Sequence, residues 1–246
     1  AIDQVLTNPG SASIEYTPPN KEGRYYGDFF IWKSNKEFKN FAFNSILPEI
    51  AGYILACNKI NFFYDQLLVK EPNTKEHTPW HNDLPYWPIK GKQIISFWIP
   101  FDKVTKNTGA VEYIKGSHKW NKMFSPSSFG KNTKFANLYK KMGLEPVPDI
   151  NSNKEKYSII SWDLNPGDMI LHHPLVLHSS KGNSSSKKRR RGLALRYIGE
   201  DVIWDDREGN FMRNEKIKNL LPTIPLKNGD SVECDIFPNL WNSQKS

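Results

Sequence analysis

Apolar and polar positions along this chain follow two periods, and the change falls near residue 58. Before it, Thr17-Pro-Pro-Asn, Gly23 and Gly27 break any long helix, and Arg24–Trp32 reads as an extended aromatic segment. Ser34 or Asn35 then caps a predicted helix. A second helix carries Pro48 and Glu49 in its first turn. Ile50, Tyr53, Ile54 and Cys57 recur at helical spacing and are expected to pack that helix on a sheet.

Beyond residue 58 the signals are those of strands. Asn61–Lys70 is rich in strand formers, and alternation puts Tyr64, Gln66, Leu68 and Lys70 on one face. Gln66 is thereby predicted as a polar group turned to the interior. Gln93–Pro100 is almost wholly apolar, as in a strand covered on both faces. Further strands are expected over Ala110–Ile114 and Tyr157–Trp162. The runs Met169–His178 and Arg190–Ile198 suggest a hairpin flanking a common site. Residues 120–157 are polar and irregular, and a stretch of that length points to a lid or specificity insert, or to a plain surface excursion.

Together these elements predict a mainly β fold with flanking α-helices, a jelly-roll-type double-sheet barrel. The 246 residues are read as a single domain. Its parts are a mostly helical segment over 1–60 packing on the barrel, a barrel core over 61–200 containing the 120–157 insert, and a C-terminal extension over 201–246.

Composition narrows the class of partner. A hydrophobic fraction of 38% with 14 Phe, 10 Tyr and 8 Trp supplies a real core and excludes global disorder. No apolar run reaches the length of a membrane span, so no membrane partner is expected. Ala1–Leu6 lacks the pattern of a secretory signal, and the two cysteines suit a reducing compartment. A cytoplasmic location is expected. The net charge of +8 raises the possibility of nucleic acid, but the one dense cluster, Lys187–Arg191, comes without a recognition motif. An anionic small-molecule substrate fits the charge better, and no nucleic-acid partner is expected.

Chemistry concentrates in His77-Thr-Pro-Trp-His-Asn-Asp-Leu-Pro-Tyr-Trp-Pro. On extended backbone, His81 and Asp83 lie two apart and point the same way, two legs of a metal site. Among the remaining histidines, His178 is the best third leg, because it ends an apolar strand and small residues follow it. Two histidines and a carboxylate leave three open positions, the arrangement of non-haem Fe(II) oxygenases. Zinc could use the same ligands but ordinarily keeps one position open. A 2-oxo acid could supply the further electrons such chemistry needs, and its distal carboxylate would call for a planar arginine fork. Arg190 is the candidate. Arg189 and Arg191 flank it on the opposite face, and strand rise sets Arg196 about 20 Å further along the same face.

These segments, with Gly116-Ser-His, Gly167-Asp and His173-Pro-Leu-Val-Leu-His-Ser-Ser, resemble the phytanoyl-CoA dioxygenase family in the same order over roughly residues 61–200. Asp65-Gln-Leu-Leu-Val-Lys and Phe237-Pro-Asn-Leu-Trp look like its bacterial branch. The resemblance implies a double-stranded β-helix enzyme using Fe(II), O2 and 2-oxoglutarate to hydroxylate a C–H bond of a small or medium-sized metabolite. Succinate and CO2 are released. Carried over by position, His81, Asp83 and His178 match the iron ligands and Arg190 the arginine on the cosubstrate's 5-carboxylate. Ser180 matches the neighbouring hydroxyl, Gln66 and Trp98 match cosubstrate-pocket positions, and Asn82 falls where the family usually has Gln. A retained Asp83 argues against the family's halogenase variants.

His118 is read as a turn residue, His172 and His173 as packing groups or supports behind the ligands, and Trp80, Tyr86 and Trp87 as lining either the mouth or the core. Two other functions use the same residues: a non-catalytic cupin-like binding module, and a zinc hydrolase indifferent to 2-oxoglutarate.

Overall fold

The computed structural model describes residues 1–125 and 136–244. The chain opens with helix α1 (Ile2–Thr7), strands β1 (Ile14–Glu15) and β2 (Tyr25–Phe29), and helices α2 (Lys36–Asn44) and α3 (Leu47–Leu55). Strands β3 (Lys59–Lys70), β4 (Thr78–His81), β5 (Ile89–Lys90), β6 (Ile94–Pro100) and β7 (Val111–Ile114) follow. After helix α4 (Ala136–Lys141) come β8 (Ile159–Ile160), β9 (Ile170–His172), β10 (His178–Ser180), β11 (Arg190–Ile198) and β12 (Ile203–Trp204). Helix α5 (Glu215–Leu220) and strand β13 (Asn239–Asn242) complete the described elements. The expected lid falls partly outside the described residues.

The larger sheet runs β1-β2-β3-β11-β6-β9, with β13 also on β3, and the smaller runs β4-β10-β7-β8. All their pairings are antiparallel. The sheets face each other across a small cluster in which Trp98 and Ala194 of the larger meet Val111 and Tyr113 of the smaller. This is the double-stranded β-helix. The outer face of the larger sheet buries a much larger cluster under α2 and α3, including Phe62, Phe97, Leu195 and Tyr197.

Local signals explain the helices. Asn35 caps α2 by accepting the Glu37 and Phe38 N–H groups, and Pro48 sits in the first turn of α3. The predicted apolar face of α3 is nevertheless turned. Tyr53 and Ile54 are exposed, while Ala51 and Gly52 face inward. A Cβ on Gly52 would come within 2.3 Å of the Trp241 ring, so close approach rather than side-chain bulk decides which face packs.

The predicted hairpin does not form. The Met169–His178 run breaks at a turn closed by the Val176 N–H on the His173 carbonyl, where Pro174 has no N–H to give a ladder. Its first part, β9, joins β6 in the larger sheet, and its second, β10, crosses to β4 and β7 in the smaller. β11 then returns between β3 and β6. Consecutive strands change sheets, so β10 and β11 form facing walls of one cavity instead of adjacent rungs. Among the described residues no helix is long and apolar enough to cross a membrane.

Candidate metal and cosubstrate site

Pairing between β4 and β10 builds the first half of the site. His81 and His178 are direct partners in that antiparallel register, which brings their rings to 4.2 Å between centroids. Each ring is oriented the same way. His81 Nδ1 lies 2.8 Å from the Pro79 carbonyl and His178 Nδ1 lies 3.0 Å from the Val176 carbonyl. A carbonyl only accepts, so both Nδ1 atoms carry the proton and each Nε2 is the nitrogen that can ligate.

Asp83 arrives by a different route from the one the sequence suggests. The chain leaves the strand after His81, and Asp83 takes helical backbone angles at the head of a short 3-10 turn, Leu84–Tyr86. Its N–H and that of Leu84 both bond the Pro174 carbonyl, which ties the turn to the loop before β10. The carboxylate therefore meets the histidines through a turn, not through strand alternation. Its Oδ1 lies 3.4 Å from His81 Nε2 and 3.8 Å from His178 Nε2. One ligand atom from each of the three lies within 4.8 Å of the others.

Protonation states suit metal binding. Burial works against an ionised Asp83, but its polar and charged surroundings, with Arg196 on the Oδ2 side, outweigh it and hold the carboxyl far below the usual range. Burial, then His81, pushes His178 well below an ordinary histidine, so it is neutral at pH 7. A deprotonated carboxylate and neutral imidazole nitrogens are the forms that ligate.

The same cavity continues toward Arg190, lined on the way by Gln66, Leu68, Trp98 and Ala194. Arg190 is fully buried, donates from Nη1 to the Leu68 carbonyl at 3.2 Å, and lies 5.7 Å over the Trp98 ring. No carboxylate pairs with it among the described residues. Its neighbours turn outward to acids. Arg189 pairs with Glu71 and Asp3, and Arg191 grips Asp102 with two nitrogens. Of the three rivals, only Arg190 lines the cavity.

Ser180 also lines it, donating to the Gly109 carbonyl and accepting from Lys70 Nζ at 3.2 Å. Asn82 does not line it. Its amide bonds the Lys122 carbonyl and the Phe124 N–H instead, joining the metal turn to the segment beyond β7. Trp80 and Trp87 are core residues, and Tyr86 packs edge-on 5.9 Å from His81.

Other residues in or beside the cavity were given no functional role by the sequence. Tyr25 bonds Thr78 at 2.8 Å beside Arg190. Lys70 is wholly buried under the Tyr25 ring, and burial, then Arg190, pushes its pKa well below that of an ordinary lysine. His172, read from sequence as packing or support, sits 4.9 Å from the His178 ring and lines the cavity. Tyr113 stacks on His178 on the same side, 5.5 Å from the His172 ring. Among the described residues, ten buried polar side-chain atoms lack a partner, and Asp83 Oδ2, Tyr113 Oη, Arg190 Nε and Arg196 Nε belong to this cavity. Unsatisfied buried groups concentrated in one place mark where a ligand would complete them.

Residues 20–192 match the profile of phytanoyl-CoA dioxygenase, PhyH. The chain belongs to the phytanoyl-CoA dioxygenase family. Human peroxisomal phytanoyl-CoA dioxygenase is 25% identical over 216 residues, covering 85% of this chain but 59% of the human protein. A probable phytanoyl-CoA dioxygenase of Caenorhabditis elegans is 23% identical over 185 residues, 69% of this chain and 56% of its own. The chain thus spans somewhat over half the length of these relatives. Two solved structures share its fold. The α-ketoglutarate-dependent epimerase SnoN of nogalamycin biosynthesis superposes with a TM-score of 0.70 at 17% identity, covering 97% of this chain and 85% of its own. EctD from S. alaskensis, with 2-oxoglutarate and 5-hydroxyectoine, gives 0.67 at 16%, covering 96% and 75%. The phytanoyl-CoA dioxygenase match includes His81, Asp83, His178 and Arg190 and stops short of Arg196.

Proposed function

We propose that this chain is an Fe(II)- and 2-oxoglutarate-dependent dioxygenase that hydroxylates a C–H bond of a small or medium-sized metabolite. One observation carries the reading. A single cavity holds a His-Asp-His donor set at one end and, on the facing wall, a buried arginine with no carboxylate partner among the described residues. The donor set fits the metal: two oriented Nε2 atoms and an ionised carboxylate, on one side of a ligand-sized space.

His81, Asp83 and His178 hold the iron in this reading. Fe(II) bound there supplies O2 activation, with 2-oxoglutarate as the two-electron reductant that leaves as succinate and CO2. Arg190 takes the distal carboxylate of 2-oxoglutarate in a two-bond fork. The Tyr25–Thr78 hydroxyl pair and Ser180 border the same space and orient that carboxylate. Lys70 holds Ser180 through its hydroxyl and backbone carbonyl. Trp98 and Leu68 keep water from the guanidinium, which strengthens its pull on an anion. Tyr113 and His172, on the far side of the ligands, are neutral at pH 7 because burial raises the phenol pKa and lowers the imidazole to about 4.

The charge of +8 favours an anionic substrate. Residues 1–246 are read as one oxygenase domain, and the two free cysteines suit the cytoplasm. Conversion of 2-oxoglutarate to succinate by the purified chain with Fe(II) in air tests the activity. Succinate above the enzyme-free control supports it. No turnover, with tight zinc and indifference to 2-oxoglutarate, favours a zinc hydrolase.

A further inference from the structure

Arg196 is set apart by its surroundings. It lies on the cavity face of β11, six positions beyond Arg190, and is buried in the corner made by the rings of Tyr64 at 4.4 Å and Trp87 at 5.7 Å. Two contacts fix its fork: Nη2 donates to Gln66 Oε1 at 3.0 Å and Nη1 to the Ala194 carbonyl at 3.4 Å. Trp87 is in turn held by its indole N–H on the Tyr64 hydroxyl at 2.7 Å. The cage leaves the guanidinium little freedom.

The fork faces Asp83. Nη2 stands 3.9 Å from Oδ2, and Oδ2 is buried with no hydrogen-bond partner among the described residues. The two carboxylate oxygens thus have separate surroundings: Oδ1 faces the two imidazole nitrogens, and Oδ2 faces the arginine. A carboxylate free to rotate can offer a metal both oxygens and occupy an extra position. One drawn toward a fixed cation through Oδ2 offers only Oδ1.

We propose that Arg196 is a positioning residue that holds Asp83 as a one-oxygen ligand, with Gln66 anchoring the guanidinium. The inference rests on the metal-centre reading above. It assigns Gln66 a role beside the metal ligand as well as a place on the cavity wall. It also explains a buried arginine outside the family match.

Calorimetric titration of the metal-free full chain with Mn(II), without 2-oxoglutarate, tests it. Partners of a ligating carboxylate typically contribute about 10–100-fold in metal affinity, and Arg196→Met should weaken Mn(II) binding by that order. Arg196→Lys, which keeps a cation beside Oδ2, should recover part of the loss. Arg190→Met should bind Mn(II) like the wild type. Unchanged affinity in Arg196→Met overturns the proposal, and so does Arg196→Lys binding no better than Arg196→Met, since packing alone would then explain the loss. Should Arg196→Met fail to fold, Arg196→Lys against Arg196→Gln carries the test, and equal affinities overturn it. Mn(II) uptake needs no turnover. A protein whose Mn(II) affinity depends on Arg196 yet which never consumes 2-oxoglutarate supports this inference and overturns the proposed activity. A wild-type chain that takes up no Mn(II) overturns both.

Discussion

The two faces of β11 treat the same residue type in opposite ways. On the outer face Arg191 meets Asp102 through two nitrogens at 2.7 and 2.9 Å and keeps about a fifth of its side chain exposed. On the inner face Arg190 is 2% exposed, and among the described residues its hydrogen bond goes to a backbone carbonyl and no carboxylate pairs with it. A surface guanidinium with a carboxylate is an ordinary, weakly stabilising pair. A buried one without a carboxylate is costly, because arginine cannot discharge itself by losing a proton. The inner face is therefore short of an anion. The larger sheet also shows how a group that can discharge behaves. Asp65 on β3, opposite Leu195, is buried under the helices, and burial pushes its carboxyl up to about 7. It sheds its charge where Arg190 must wait for a ligand.

Four variants would break or sharpen this contrast. The largest effect is expected at the metal end. Asp83→Ala removes the one anionic ligand and should abolish Fe(II) binding in an equilibrium titration, with the circular dichroism of the fold unchanged. Second, Arg190→Met should weaken 2-oxoglutarate binding by roughly 30-fold or more, since truncating one side of a buried charge pair costs about 2–5 kcal/mol. Calorimetry on the Mn(II)-loaded protein reads this, with metal affinity itself unaltered.

The third variant tests the neutralised acid. Asp65 binds its proton more tightly folded than unfolded, where an aspartate titrates near 3.9. Stability should therefore fall as pH rises from about 4 to 7 and level off above, a change on the order of 4 kcal/mol. In Asp65→Asn this dependence should disappear from denaturant unfolding curves, while Trp32 keeps an acceptor for its N–H. Fourth and smallest, Arg191→Met should cost about 1 kcal/mol of stability and leave 2-oxoglutarate affinity at the wild-type value. A strong 2-oxoglutarate defect in Arg191→Met would mean that the strand faces the other way.

How far the sequence disclosed the site follows from what each signal encodes. The structure brings together His81, Asp83 and His178, which their donor types single out in the sequence, and turns Arg190 away from Arg189 and Arg191 as alternation expects. The path was less legible than the residues. Asp83 reaches the histidines through a turn pinned by the Pro174 carbonyl, a contact no spacing announces. The hairpin expected between 169–178 and 190–198 failed because local pattern cannot say which sheet a strand enters. Arg196 was set aside on its distance from Arg190, whereas the relevant distance is to Asp83, 3.9 Å from its fork. Asn82 followed the family position but is turned to Lys122 and Phe124. Tyr25 and Thr78 meet Arg190 only through the folding of β2 and β4 around it, which no period in the chain encodes.

The central claim is that one cavity binds Fe(II) at its His-Asp-His end and 2-oxoglutarate at Arg190. Anaerobic titration of the Fe(II)-loaded chain with 2-oxoglutarate, followed by the visible metal-to-ligand charge-transfer absorption, tests it most directly when run beside Arg190→Met and Arg191→Met. A saturable band in the wild type and Arg191→Met that needs far more 2-oxoglutarate in Arg190→Met is the predicted result. No band in the wild type, or a band equally strong at the same concentration in all three, would contradict it.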